Sequence, residues 1–318
     1  MQELFETLRY SIAGALAQLV DGTLGMAFGV TSATALVFLG ASAVAASAAV
    51  HFAELGTTLA SGASHWREGN VDKHVLLRIG IPGGIGAFLG ATWLTRIATE
   101  ASSAAASNAK VYMAGLLLLL GMSLIIRFGL GIAIVKAKKK HLRGYTMAVL
   151  GLVAGFVDAS AGGGWGPITT PTLLTATKTH PRLVIGTVSA AEFLVAVSAS
   201  LGFLFGMSQS EIPLTVVGGL LIGGVIMAPF AAKFAGRLPH APFGVLIGGM
   251  VVIYNSRTIM SKFTTNPTIN WSLFVVAVIF TALLALKAWN REKGKHIPHT
   301  PEDFAGPEAE ISEDQVPQ

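Results

Sequence analysis

Cysteine is absent from the chain, which excludes both a disulfide framework and any thiolate metal site. Charge is scarce: 12% of the residues are Asp, Glu, Lys or Arg, against roughly 25% in soluble domains. No nucleophile elbow, zinc-protease helix or phosphate-binding lysine follows a suitable glycine pattern, so no enzyme and no cofactor is implied. His51 and Glu54 could share a helix face, but two ligands are too few for a metal. The segment 1–10, with Glu3, Glu6 and Arg9, has no basic start of the kind a cleaved signal peptide needs, and none is expected.

What remains is apolar. Hydrophobic residues make up 52% of the 318 positions, mean hydropathy is +0.64, and the 37 glycines suit close helix packing in lipid. The chain reads as an all-α integral membrane protein. A net charge of +5 then reports orientation in the bilayer and not nucleic-acid binding.

Spanning a bilayer takes about 20 apolar residues. Seven stretches fit one crossing each: 41–64, 74–96, 110–135, 182–206, 212–235, 241–257 and 271–289. Residues 11–39 and 145–177 are longer, and glycines interrupt both. Glycine weakens a helix interior, and proline belongs in a first turn. Each long stretch is therefore predicted to be two half-helices folding back on themselves. The alternative is an ordinary long, tilted helix with packing glycines.

The two interrupted stretches are copies. A shift of 137 aligns Gly14 with Gly151, Val20 with Val157, Asp21 with Asp158, Gly25 with Gly162 and Gly29 with Gly166. A shift of 138 aligns Glu54 with Glu192 and Gly86 with Gly224. Basic residues fix the orientation. Lys136, Lys138, Lys139, Lys140 and Arg143 mark a cytoplasmic loop, and Arg291, Lys293 and Lys295 should share its side. Both ends lie inside only if 145–177 dips in and returns. Arg67, Lys73, Arg78, Lys178, Arg182, Lys233 and Arg237 then also lie inside, and Arg9, Arg96, Lys110, Arg257 and Lys262 outside.

The expected organisation is two inverted repeats plus one extra helix. Each repeat is a re-entrant broken helix followed by three transmembrane helices, which is a transporter signature. The first repeat covers 1–135, a basic cytoplasmic linker 136–144, and the second repeat 145–260. The extra transmembrane helix covers 261–290, and a disordered acidic cytoplasmic tail 291–318.

Of 17 carboxylates, four fall in membrane segments: Asp21, Glu54, Asp158 and Glu192. An ionisable group at bilayer depth costs about 2.5–3.5 kcal/mol or more and usually faces a cavity. With His51, these four are the candidates for proton coupling; capping or structural roles are the alternative. The broken tips suit an anion, because a half-helix presents free N–H groups and a positive dipole end. Ser160, Gly162, Gly163, Gly164, Trp165 and Thr169 in the second tip are candidate substrate ligands. Thr23, Gly25 and Thr31 are their counterparts in the first, and Ser32 and Thr170 add hydroxyls. Alternatively the glycines serve packing, and the hydroxyls bond their own helices. Arg127 is placed at the cytoplasmic interface, its charge reaching for water.

At these residues the sequence resembles the TauE/SafE family of sulfite exporters. The run Gly155-Phe156-Val157-Asp158-Ala159-Ser160-Ala161-Gly162-Gly163-Gly164-Trp165-Gly166-Pro167 carries the resemblance. Gly186 to Glu192, His51-Phe52-Ala53-Glu54 and His65 to Asp72 support it. The first hairpin departs from the pattern, with Met26, Ala27 and Phe28 opposite Gly163, Gly164 and Trp165. The resemblance covers about residues 10–290. It implies export of sulfite, sulfoacetate or a related small sulfur-containing anion; with the membrane carboxylates, the leading expectation is a secondary transporter of the cell membrane coupled to protons. An anion channel of the same architecture is the alternative. The partners expected are the anion, protons and membrane lipid.

The topology is open to a direct test, because any cysteine added to this chain is unique. Lys139→Cys and Ser208→Cys are expected to react with impermeant reagents from opposite faces of the membrane; reaction from the same face would overturn the inverted arrangement.

Overall fold

The computed structural model describes residues 2–24, 26–99, 103–131, 143–177, 179–207, 212–235, 239–264 and 266–293. The linker 136–142, the tail from 294, and the positions Gly25 and Ser208 lie outside the described residues. Among the described residues the chain is helical without strands. The first repeat-related stretch forms α1 (Gln2–Leu24) and α2 (Phe28–Phe38). It is followed by α3 (Ala43–Arg67), α4 (Lys73–Thr99) and α5 (Ser103–Leu124), the last continuing as a π-helical turn, Ile125–Leu130. The second forms α6 (Gly144–Ala161) and α7 (Trp165–Ala176). After it come α8 (Pro181–Gly206), α9 (Leu214–Ala235), α10 (His240–Phe263) and α11 (Pro267–Lys293).

Among the described residues seven helices are long and apolar enough to cross a membrane: α3, α4, α5 with its π turn, α6, α8, α10 and α11. Six match predicted crossings. The predicted crossing 212–235 is a helix whose apolar part, Leu214–Ala228, is shorter. Each interrupted stretch folds as two helices, of unequal length. At 1.5 Å per residue, α1 (23 residues) and α6 (18) are long arms, and α2 (11) and α7 (12) are short ones.

Both breaks fall at the aligned glycine clusters. Gly162 ends α6 in the left-handed region, at φ +75°, where a Cβ would be penalised. In the first break Ala27 takes a left-handed φ of +95°; for a residue with a Cβ this is a strained conformation held by its surroundings. After each break the short arm folds back. Arg9, near the start of α1, donates from Nη2 to the Leu39 carbonyl just past α2 (3.2 Å). Thr177, just past α7, lines a small gap with Met147, near the start of α6.

Glycine allows the long arms to pack backbone to backbone. A methyl group at Gly155 of α6 would lie 3.0 Å from the Gly83 Cα of α4, and one at Gly14 of α1 would lie 2.7 Å from the Leu220 Cα of α9. Small residues give this close approach where no hydrophobic effect drives helices together in lipid. The corresponding arms α1 and α6 thus rest on the corresponding helices α9 and α4. Gly155→Val is therefore expected to lower the melting temperature of detergent-purified protein, through about 1–3 kcal/mol of overpacking. Gly115→Ala adds a methyl with nothing within 4 Å and is expected to leave it unchanged or raise it. Identical melting curves for both would show that these contacts do not limit stability.

Candidate transport site

The two breaks meet. A Cβ built on Gly29 would stand 2.8 Å from the Gly163 Cα and 3.0 Å from the Gly162 carbonyl oxygen, and one on Gly166 would stand 3.0 Å from the Met26 Cβ. A Cβ on Gly163 would strike the backbone of Gly29 and Val30. The glycine at 163 is thus required by the opposite tip.

The same device closes both breaks. Asp21 accepts from the Phe28 N–H (3.3 Å), and Asp158 accepts from the Trp165 N–H (2.9 Å). Each aspartate caps the short helix seven residues ahead, satisfying an orphan amide at membrane depth. The capping alternative weighed for both aspartates is the observed geometry. In the second tip the Asp158 carbonyl also accepts from the Gly162 and Gly163 N–H groups (2.8 and 2.9 Å). Gly162, Gly163 and Trp165 therefore spend their amides within the tip. Ser160 and Thr169 donate to carbonyls of their own helices, Phe156 and Trp165, and the Trp165 indole donates to the Val188 carbonyl (3.0 Å). In the first tip the buried hydroxyls of Thr31 and Ser32 have no hydrogen-bond partner among the described residues. The Thr23 side chain lies outside the described residues.

Around the tips the four membrane carboxylates sort into two groups, each with one aspartate and one glutamate from opposite halves. The first group is closed. His51, Glu54 and Asp158 are buried, and their polar atoms lie within 4.8 Å of one another. His51 Nε2 is 3.1 Å from Asp158 Oδ2. Its Nδ1 is 2.8 Å from the Ser47 carbonyl, an acceptor, so Nδ1 carries a hydrogen. Nε2 and Oδ2 must then share a proton. Either the imidazolium donates to the carboxylate or the carboxylic acid donates to the neutral ring. Both ring nitrogens of His51 are engaged, which ties it to Asp158 and Ser47, with the Glu54 carboxylate close by. Ser47 completes it by donating to the Ala159 carbonyl.

The second group is open. Asp21 and Glu192 line a cavity of about 850 Å³. The position that corresponds to His51 is Ser189, which also lines it. Gly166 and Met26 of the two tips form part of the wall. Arg127, on the π turn, lines the same cavity and reaches Met26 Sδ (3.5 Å). Ser61, Ser64 and His65 of α3 add polar groups. The sequence reading placed Arg127 at an interface; the structure places its guanidinium at a cavity wall. A single arginine in an apolar run just before Gly129 and Gly131 was the signal available.

The sequence that builds this site is matched by known proteins. The family described as Sulfite exporter TauE/SafE matches residues 10–258. The chain belongs to the TauE/SafE family. It is 42% identical over 279 residues to the probable membrane transporter protein YtnM of Bacillus subtilis (strain 168), covering 87% of this chain and 88% of the relative. It is 27% identical over 184 residues to the probable membrane transporter protein YdhB of the same organism, covering 58% of this chain and 71% of the relative. No solved structure matches. As a TauE/SafE protein the chain is a multi-pass membrane transporter and not an enzyme.

The two carboxylate groups should respond differently to mutation. Asp158→Ala orphans both the Trp165 amide and the His51 ring, at about 1–3 kcal/mol for each buried group. Asp21→Ala orphans one amide beside a cavity that water can reach. Asp158→Ala is expected to lower the melting temperature more than Asp21→Ala. A double-mutant cycle with His51→Gln should return a coupling near 1 kcal/mol or above. Additive effects would contradict the shared proton.

Proposed function

We propose that this TauE/SafE protein exports a small sulfur oxyanion or organosulfonate, of the sulfite and sulfoacetate class, across the plasma membrane by proton-coupled alternating access. The observation that carries the reading is the 850 Å³ cavity, in which one arginine and several hydroxyls stand beside two carboxylates at the meeting point of two broken helices.

The inverted-repeat arrangement supports it. Arg9 meets Leu39 where α1 begins and α2 ends, beside the start of α3. Thr177 meets Met147 where α7 ends and α6 begins, beside Asp72 at the start of α4. One hairpin belongs to each face, and three crossings lie between them. The cavity opens among the ends of α3 and α5 and the start of α8, all on one face. By the distribution of Lys and Arg that face is cytoplasmic, and the C-terminus shares it. Toward the opposite face the way is closed. α2 packs above the tips with Val30 and Ala33 fully buried, and beyond them the buried Asn255 donates from Nδ2 to Thr34 Oγ1 (3.2 Å). A cavity open to one face and closed to the other suits a transporter better than a channel.

The charges give the coupling. Arg127 attracts an oxyanion with directed N–H donors. Asp21 and Glu192 repel it when ionised and accept it when protonated. Anion and proton therefore bind together, and apparent affinity falls as pH rises. The closed His51–Asp158 pair holds a second proton beside the same tips. The membrane potential favours outward movement by about 2.3 kcal/mol per net charge per 100 mV, so a doubly charged anion carried with one proton still gains from one charge.

Sulfite counterflow in proteoliposomes tests this. Arg127→Gln is expected to weaken apparent sulfite affinity at least tenfold, about 1.4 kcal/mol. Glu192→Gln is expected to retain flux but flatten its pH dependence relative to wild type, a comparison that cancels the titration of sulfite itself. Wild-type affinity in the first variant and a wild-type pH profile in the second would sink the reading.

A further inference from the structure

On the face opposite the large cavity, α2 ends, α5 begins and α10 ends around a second cavity of about 380 Å³. Lys110, Arg257 and Lys262 all line it, and no carboxylate does among the described residues. Its floor is the buried Thr34–Asn255 hydrogen bond. Thr34 accepts in that bond, which leaves its own O–H to be donated. Lys262 donates to Asn108. Among the described residues neither Lys110 nor Arg257 is held in an ion pair.

The arrangement is unusual for its face. The reading of the charges leaves only five basic residues outside: Arg9, Arg96, Lys110, Arg257 and Lys262. Three of the five converge on this one cavity, although like charges around one space repel one another. An anion among them turns that repulsion into attraction. The floor lies one helical turn along α2 from Thr31, whose buried hydroxyl is unpartnered among the described residues, and α2 begins where the tips meet.

We infer that this basic cavity is an outer binding site for a small oxyanion, separate from the inner cavity, with which it shares no lining residue. The inference rests on the transport reading for its role as the release site, but the site itself can be tested without transport.

Ser261 lines the cavity and is exposed, and Ser261→Cys gives this cysteine-free chain a single thiol there. An anionic methanethiosulfonate reagent is expected to modify it at least tenfold faster than a cationic reagent of similar size. Sulfate should slow that reaction where chloride at equal ionic strength does not. Adding Lys110→Gln and Arg257→Gln should abolish both effects; each substitution alone serves if the pair does not fold. Equal rates for the two reagents, or sulfate protection that survives neutralisation, would overturn the outer site. Should the protein protect in this way yet carry no sulfur anion in counterflow, the outer site stands and the substrate reading falls.

Discussion

The constraint on which the architecture depends is that backbone polar groups cannot go unpaired at membrane depth. Breaking a helix there exposes amides on the starting short helix. Each half of the chain answers with an aspartate seven residues upstream, Asp21 for Phe28 and Asp158 for Trp165. The two breaks then cover each other through Gly29 and Gly163. Neither tip could take its place with a side chain at the contact, and neither aspartate could be lost without orphaning an amide. The carboxylates are therefore tied to the fold before any transport role is considered.

From that symmetric frame the function comes by breaking the symmetry. Asp158 meets His51, which shares a proton with it in a buried cluster. The corresponding partner of Asp21 is Ser189, too short to seal the site, and there the cavity opens. One aspartate–glutamate group is thus shut and its counterpart accessible. Alternating access would require the two to exchange accessibility in turn, and the chain provides only one histidine between them. The strained Ala27, at the tip on the open side, fits a break held in shape by its neighbours. The second tip reaches its turn through Gly162.

Much of this was legible in the sequence, and the reasons differ by element. The breaks were readable because Gly162, Gly163 and Gly164 are poor in any packed helix, and the duplication because Asp21 and Asp158 recur with their glycines. The unequal arms were not readable, since hydropathy in 11–39 carries no mark of where α1 begins at Gln2. The choice between the two roles of Gly162 and Gly163 was not readable, for a physical reason. A glycine that admits a ligand and one that admits another backbone look alike until the opposing chain is seen. The His51–Asp158 contact joins residues 107 apart, a pairing that no local spacing signals. That Arg127 faces a cavity was not readable, because Ile125–Leu130 has no periodicity that announces a π turn.

The two cavities also differ in charge in a way that gives the proposed path a direction. The inner one sets a single arginine against two titratable acids, so its attraction for an anion depends on protonation. The outer one gathers three cations without an acid, so its attraction does not. An anion admitted inside only with protons would pass to a site that holds it whatever the protonation state of Asp21 and Glu192. Those acids, relieved of the anion, could then ionise. Between the two sites α2 runs from the tip at Phe28 to the outer floor at Thr34, with Val30 and Ala33 fully buried, so passage along the proposed path would require the short helix itself to move and not one contact to open.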